Sequence, residues 1–437
     1  MAPAFSDYSA ALDFLYRQLP MYQRIGGKAF KPGLDNIRKL LSALGHPQHS
    51  FPSIHIAGTN GKGSTSHMLA AILQASGLKT GLYTSPHYKD FRERVKVNGQ
   101  LIPQDQVLRF VNANYEAILE IQPSYFELTV ALAFTCFREQ QVDVAVVETG
   151  LGGRLDSTNV VNPLLSVITN IGYDHQDVLG DTLAQIAGEK AGIIKPDTPL
   201  VVGHTHPETQ PVFEAYAKRV QAGPVLYADQ EFEARMLGIK EFKSVLEITR
   251  NGQPYAQALT LDALGTYQIQ NLTTALASAE VLKEQVPITD ASIAAGLSNM
   301  KQLTYFIGRW QVLQEQPLII ADSGHNKEGF AEALAYLKQQ SYEQLHFVLG
   351  FAQGKDHTAL LQLLPKAAHY YWSRPDVPRA LPLNELQSLV EKARLSGAFF
   401  PSVAAAVRAA KTKAKAADLI FIGGSSFMVA DALHLTY

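Results

Sequence analysis

The sequence predicts an α/β chain of two domains. The first is a doubly wound domain of the P-loop ATPase type, and the second is a smaller Rossmann-like α/β domain. Three observations predict this. A glycine-rich stretch, Gly58-Thr59-Asn60-Gly61-Lys62-Gly63-Ser64, separates a short apolar run, Ser53–Ile56, from a helical pattern at Met68–Leu73. Near-continuous apolar runs then alternate with helical segments, as in a parallel sheet covered on both faces. The alternation breaks between residues 225 and 265 and restarts near Trp310, which puts the boundary near residue 300 and gives domains 1–300 and 301–437.

The elements follow in order. The first fifty residues read as helical, with Leu12, Phe14 and Leu15 and later Ile37, Leu40 and Leu41 at helical spacing. After the glycine-rich loop, 80–84 reads as a strand. Residues 104–121 read as one helix entered by Pro103, and 127–140 as a second, apolar helix. Runs 142–147, 165–169 and 200–202 read as buried strands. From 225 to 265 short β-like pieces dominate, with a turn at Asn251-Gly252, so a small antiparallel excursion is expected. Helical pattern returns at 271–284 and 288–297. In the second domain 318–321, 346–349, 369–372 and 419–422 are expected strands with helices between them. No internal repeat is visible.

Composition bounds the function. The chain has 437 residues, 46% hydrophobic and 18% charged, which suits a globular protein with ample core. A formal net charge of −2 gives no sign of a nucleic-acid or acidic-membrane surface. No uncharged apolar run is long enough to span a bilayer. The opening Met1–Asp7 lacks a basic region followed by an apolar one, so no signal peptide is expected. Cys136 is the lone cysteine, so no intrachain disulfide can form; in its apolar run it reads as a packed small side chain rather than a nucleophile. A reducing cytoplasm fits these features, and a monomer is expected.

The glycine-rich loop carries the chemistry. Glycines let backbone N–H groups turn inward, and a helix N-terminus adds partial positive charge, so the segment reads as a phosphate cradle. Lys62 would reach the β/γ-phosphates, and Ser64 or Thr65 would face Mg²⁺. Gly63, between the lysine and the serine, departs from the general pattern. Glu148 closes the strand run 142–147, and His175 follows the strand that ends near Thr169. Ligands of open α/β sheets bind beyond the carboxyl ends of strands, so both are candidate metal ligands beside the loop. A carboxylate capping the next glycine turn and a surface loop histidine are the alternatives.

The motifs together resemble the folylpolyglutamate synthase/dihydrofolate synthase family of the Mur ligase superfamily. The resemblance rests on Gly58–Ser64, Thr84–His87, Tyr125–Glu127, Glu148–Asn159 and Glu189–Lys195, in that order, and covers nearly the whole chain. The inserted Gly63 is what this family shows. The resemblance implies that Thr59, Asn60, Gly61, Lys62, Gly63 and Ser64 bind ATP as co-substrate. It implies that Ser85, Glu148 and His175 hold Mg²⁺, and that Lys190 is carbamylated beside a second Mg²⁺, with room for a potassium ion. Ser124, Tyr125, Phe126 and Glu127, with Leu155, Asp156 and Ser157, match a pterin site, where a flat ring can stack on an aromatic face. Asn271 matches an ATP-binding asparagine, with helix capping as its alternative.

In the second domain Gly308-Arg309-Trp310 and Asp322-Ser323-Gly324-His325-Asn326 resemble family motifs. Ile307 stands where a proline is usual, and Ser323-Gly324 where glycine-alanine is usual. Arg309, Asp322 and His325 would contact the nucleotide. Lys355-Asp356 and Gly423–Ser426 also resemble family segments, and Gly424 and Ser425 would help form a glutamate pocket. The implied activity joins L-glutamate to dihydropteroate or to the γ-carboxyl of folates through an acyl phosphate. The implied catalytic residues are Lys62, Lys190 and His175. Rival readings are a Mur-type ligase acting on a cell-wall precursor and a non-catalytic nucleotide-binding module. Against the first stand Tyr125–Glu127 and the lack of a separate amino-terminal domain that could hold a nucleotide-linked sugar.

Overall fold

The computed structural model describes residues 4–19, 33–324, 326–353 and 357–435. It divides into two units. One holds the chain up to His87, Phe91–Asp262 and Gln268–Phe306; the other holds Tyr88–Asp90, Ala263–Tyr267 and the chain from Ile307 on. Two short segments that the sequence reading put in the first domain thus belong to the second unit.

The first unit is built on eight strands: β1 (Ser53–Ala57), β2 (Thr80–Tyr83), β3 (Val95–Val97), β4 (Gln100–Leu101), β5 (Val144–Glu148), β6 (Leu165–Ile168), β7 (Leu200–Val202) and β8 (Val225–Tyr227). Their order is β4-β3-β2-β5-β1-β6-β7-β8. From β2 to β8 every pairing is parallel, and the β3–β4 hairpin adds antiparallel strands at one edge. Every residue of β1, β5, β6 and β7 is buried, which explains their near-continuous apolar character. β1 lies between β5 and β6, so the loops after these three strands open side by side at the carboxyl end of the sheet.

The helix Lys62–Ala75 follows the glycine-rich loop, and Ser64 through Leu73 are all buried. Gly296, on the helix Asp290–Ser298, lets the two helices touch: a Cβ there would lie 2.7 Å from the carbonyl oxygen of Ala71. The helix Tyr125–Glu139 is buried along most of its length, and Cys136 sits in that core. Burial raises the Cys136 thiol well above its usual range, so it is a packed side chain.

Two expectations are corrected here. Residues 104–121 form two helices, Gln104–Ala113 and Tyr115–Ile121. Asn114 breaks them: its side-chain Nδ2 donates to the Phe110 carbonyl at 2.8 Å, competing with the helical ladder. The piece 225–227 joins the parallel sheet as β8, and only the residues after it form the excursion. That excursion is a three-stranded antiparallel sheet of β9 (Phe232–Lys240), β10 (Lys243–Arg250) and β11 (Gln253–Leu261). Asn251 and Gly252 turn β10 into β11 with φ of 51° and 72°, the positive pair a two-residue hairpin favours.

The second unit holds β12 (Gln311–Glu315), β13 (Leu318–Ala321), β14 (Leu345–Leu349), β15 (His369–Ser373), β16 (Ala398–Phe400) and β17 (Leu419–Gly423), in the order β12-β13-β17-β14-β15-β16. Only β12 runs antiparallel, at the edge. Alternation along β14 sends Leu345, Phe347 and Leu349 into one core and Val348 into the other. Phe347, Tyr370 and Trp372 stack in near-parallel pairs at 5.4 and 5.0 Å. Among the described residues, no helix is long and apolar enough to cross a membrane.

Candidate active site

The glycine-rich loop is held by the segment that follows β6. Thr59 N donates to the Asn170 carbonyl at 2.9 Å, Asn60 N to Asn170 Oδ1 at 2.8 Å, and Thr169 Oγ1 to the Asn60 carbonyl at 2.6 Å. Thr59 Oγ1 meets both the N–H and the carbonyl of Gly172. Gly58 has φ of 153°, and a side chain there would overlap Thr169 Oγ1. Gly61 has φ of 86°, and a Cβ on it would overlap Asn271 Oδ1. Asn271 lies inside the helix Tyr267–Leu282, not at its start, so the capping alternative does not apply; its Nδ2 donates to Gln268 Oε1 at 2.9 Å.

Two lysines converge on one carbonyl. Lys62 Nζ donates to the Gly58 oxygen at 3.0 Å, and Lys190 Nζ, from the helix Leu183–Ala191, donates to the same oxygen at 2.9 Å. Lys190 is buried. Burial first, and then the neighbouring Lys62 charge, push it down to about 7, while Asp174 and Asp156 oppose the shift. Its neutral amine is therefore favoured more than that of an ordinary lysine.

Glu148, the last residue of β5, is buried and accepts from Ser85 N at 3.0 Å. A Cβ on Gly63 would lie 3.7 and 3.8 Å from its two oxygens, so the carboxylate sits over the first turn of the helix Lys62–Ala75. Ser85, Glu148 and Gly63 are thus brought together. The buried hydroxyls of Thr65 and Thr149 have no hydrogen-bond partner. His175 has φ of 51° at the start of the short helix Gln176–Leu179, with Asp174 Oδ2 at 3.8 Å from its Nε2. Among the described residues no group of three or more His, Cys, Asp and Glu side chains is placed to hold a metal by itself.

The residues assigned to a pterin site serve the fold as well. Ser124 and Glu127 form a reciprocal capping box, with Ser124 N donating to Glu127 Oε2 at 2.6 Å and Glu127 N to Ser124 Oγ at 3.2 Å. Tyr125 is buried, stacked on Tyr16 at 5.8 Å and covered by the Arg94 guanidinium at 5.3 Å. Its neighbour Phe126 is half-buried and lies over Gly150, where any Cβ would overlap the ring. Asp156 accepts from Gly150 N, Leu151 N, Thr158 N and Thr158 Oγ1, and so shapes the turn after β5. Burial raises the Asp156 carboxyl, and these donors pull it back. Leu155 is half-buried and Ser157 buried beside it.

In the second unit Asp322, at the end of β13, is buried. Its Oδ2 accepts from Tyr267 Oη at 2.6 Å and Trp310 N at 2.9 Å, and its Oδ1 from Gly324 N at 2.8 Å. Arg309 lies between Gly308, with φ of 79°, and Trp310, with φ of 43°. Its charge acts on Tyr267, whose hydroxyl burial and Asp322 hold well above its usual range. Ser425 caps the helix Ser426–Leu433 by accepting from Met428 N at 3.3 Å, after Gly424 with φ of 94°. His325, Lys355 and Asp356 lie outside the described residues. The sequence reading missed Thr169, Asn170 and Asp174; the polar Thr-Asn pair directly after an apolar run was the available signal.

A nucleotide-type phosphate loop on a parallel sheet, followed by a second parallel-sheet unit, defines the class: a Mur-type ligase architecture. The Mur ligase middle domain matches residues 56–279, and the Mur ligase, glutamate ligase domain matches 308–426. The chain is 34% identical to the dihydrofolate synthase/folylpolyglutamate synthase of Bacillus subtilis, over 92% of this chain and 94% of that protein. It is 35% identical to a probable bifunctional folylpolyglutamate synthase/dihydropteroate synthase of Haloferax volcanii, of which it spans 50%. The structure of the Mycobacterium tuberculosis folylpolyglutamate synthase complexed with ADP and AMPPCP matches with a TM-score of 0.86 and 32% identity, covering 98% of each chain. That of Escherichia coli FolC in complex with DHPP and ADP matches at 0.84 and 29%, covering 99% of this chain and 98% of the other. The chain belongs to the folylpolyglutamate synthase/dihydrofolate synthase family.

Proposed function

We propose that this protein is an ATP-dependent ligase that joins L-glutamate to dihydropteroate and to the γ-carboxyl of folates. The observation that carries the reading is the joint placement of Lys62, Lys190 and Glu148 around the start of the helix Lys62–Ala75. It gathers two amines and a carboxylate at a helix N-terminus, a setting that favours nucleotide phosphates.

The donor set fits Mg²⁺. Glu148 offers hard carboxylate oxygens, Ser85 a hydroxyl, and Thr65 a buried hydroxyl with no hydrogen-bond partner. Mg²⁺ commonly takes one or two carboxylates and completes its shell with phosphate oxygens and water, so a small protein donor set suits it. When bound, it supplies positive charge against the ATP phosphates. Glu148 and Ser85 would hold it, and His175 would stand by as a nitrogen donor. Lys190 is proposed as the carbamylated residue: the neutral amine adds to CO₂, loses a proton, and becomes an anionic carbamate suited to a second Mg²⁺.

In the reaction an oxygen of the acceptor carboxylate attacks the γ-phosphorus of ATP, and ADP leaves. The amine of L-glutamate then attacks the acyl carbon, phosphate departs, and the amine loses a proton. Lys62 offsets the repulsion between two anionic reactants and stabilises charge that develops on the transferred phosphoryl group. Phe126 over Gly150 offers the partly exposed ring on which a pterin would stack, while Tyr125 supports the site from within. Positioning and charge carry the reaction without a protein nucleophile. A monomer in the cytoplasm is the proposed setting.

The test is ADP release measured with dihydropteroate and with a tetrahydrofolate, each with and without L-glutamate. Turnover that needs both an acceptor and L-glutamate is expected. Equal ADP release without any pterin acceptor would refute the reading.

A further inference from the structure

Lys96 is a charged side chain in the interior, outside the residues assigned to ATP, Mg²⁺ and the pterin. It lies on β3, opposite Leu82 of β2, with 2% of its surface exposed. Its Nζ donates to Thr84 Oγ1 at 3.3 Å. Thr84 directly precedes Ser85, whose N–H holds Glu148 Oε2 at 3.0 Å. β2 and β5 run in register with Tyr83 opposite Val147, so Thr84 and Glu148 leave the sheet together. Burial lowers the Lys96 ammonium to about 8, and two carboxylates, Glu93 and then Glu148, pull it back toward the charged form. Glu93 is itself buried, on the turn Phe91–Arg94 beside β3. The same ammonium acts on His67, which is buried on the helix Lys62–Ala75.

A buried ammonium is retained where negative charge compensates it. Here one of its two counter-charges is the carboxylate that faces the phosphate loop. Any divalent cation at Glu148 therefore competes with a cation already built into the protein. We propose that Lys96 is a positioning residue that serves as the resident counter-ion of Glu148 and sets the metal affinity of this site. It keeps Glu148 aimed, through Thr84 and Ser85, and it weakens the site for a free divalent ion, so that metal binding depends on the phosphates that accompany it. The proposal rests on the reading of Glu148 as a metal ligand.

Mn²⁺ titrated into the protein with saturating ADP, and followed by the signal of the free ion, tests it without turnover. Lys96→Met keeps the length and apolar stem and removes the charge. The midpoint should fall by at least roughly tenfold, well within what one nearby unit charge exerts at an effective dielectric near 20. It should fall further without ADP than with it. Lys96→Arg keeps the charge and should keep the parent midpoint. Circular dichroism verifies folding, and Lys96→Gln replaces the Met variant where the latter does not fold. An unchanged or raised midpoint in a folded neutral variant overturns the proposal. Glu148→Gln, run in parallel, separates the two ideas: if it leaves the midpoint unchanged, the assignment of Glu148 as ligand fails; if it abolishes binding while the Lys96 variants do nothing, only the role of Lys96 fails.

Discussion

The Gly58 carbonyl oxygen accepts from two amines that repel each other, and each amine carries a prediction. Lys62 is proposed to meet charge that grows during phosphoryl transfer, so Lys62→Ala should lower turnover by on the order of 10²-fold or more with the fold intact. Near-parent turnover in a folded variant would remove the loop from the mechanism. Lys190, pushed down to about 7, is the amine proposed for carbamylation. A depressed lysine is protonated below its folded value and neutral above it, and only the neutral form adds to CO₂. At constant dissolved CO₂, activation of a bicarbonate-depleted preparation should therefore be small at pH 6 and rise through pH 7 to pH 8. Lys190→Ala should show no such activation and should regain part of its activity with a small carboxylic acid. A flat response across that range would leave Lys190 an ordinary hydrogen-bonding lysine.

At the level of elements, the helix Tyr125–Glu139 holds residues that are both structural and proposed to bind the pterin. Its capping box predicts that Ser124→Ala lowers stability by about 1 kcal/mol, read as a fall in thermal midpoint of about 2–4 °C. Removing only a ligand contact would leave the midpoint alone. Phe126 over Gly150 predicts that Gly150→Ala displaces the ring and raises the KM for the pterin acceptor by roughly tenfold, with the KM for ATP unchanged. Much of this architecture was legible in the sequence. Buried parallel strands such as β5 and β14 announce themselves as apolar runs, and Gly58 to Ser64 marks its own turn. The break at Asn114 was not legible, because a single side-chain bond to Phe110 decides it within a pattern that stays amphipathic across the break. Nor was the structural part played by Ser124, Glu127 and Asp156, whose residue types suit a ligand and a cap equally. Tyr125 and Phe126 looked equivalent as neighbours, and only burial against Tyr16 and Arg94 tells them apart.

For the whole molecule, the second unit is not encoded by one continuous stretch. Tyr88 packs with the cluster around Val403 and Val407, its hydroxyl pairs with Ser323 Oγ at 2.9 Å, and its ring lies against Gly308. Tyr267 donates to Asp322. A fragment starting at Ile307 lacks both tyrosines, so its amides on β13 and β17 should exchange faster than in the full chain, by hydrogen-exchange mass spectrometry. Equal protection would mean that the two outlying segments contribute nothing to that unit. The same arrangement has a consequence for synthesis. Tyr88 and Ser323 are separated by 235 positions, so at about 5–20 residues per second the tyrosine leaves the ribosome on the order of 10–50 s before its partner exists. During that interval the neighbouring β2 and β3 can close their hairpin, while Tyr88 waits outside as an unmatched aromatic. The nascent chain thus carries a docking point that only the finished chain can use, and a ribosome stalled before Gly308 would display it to chaperones.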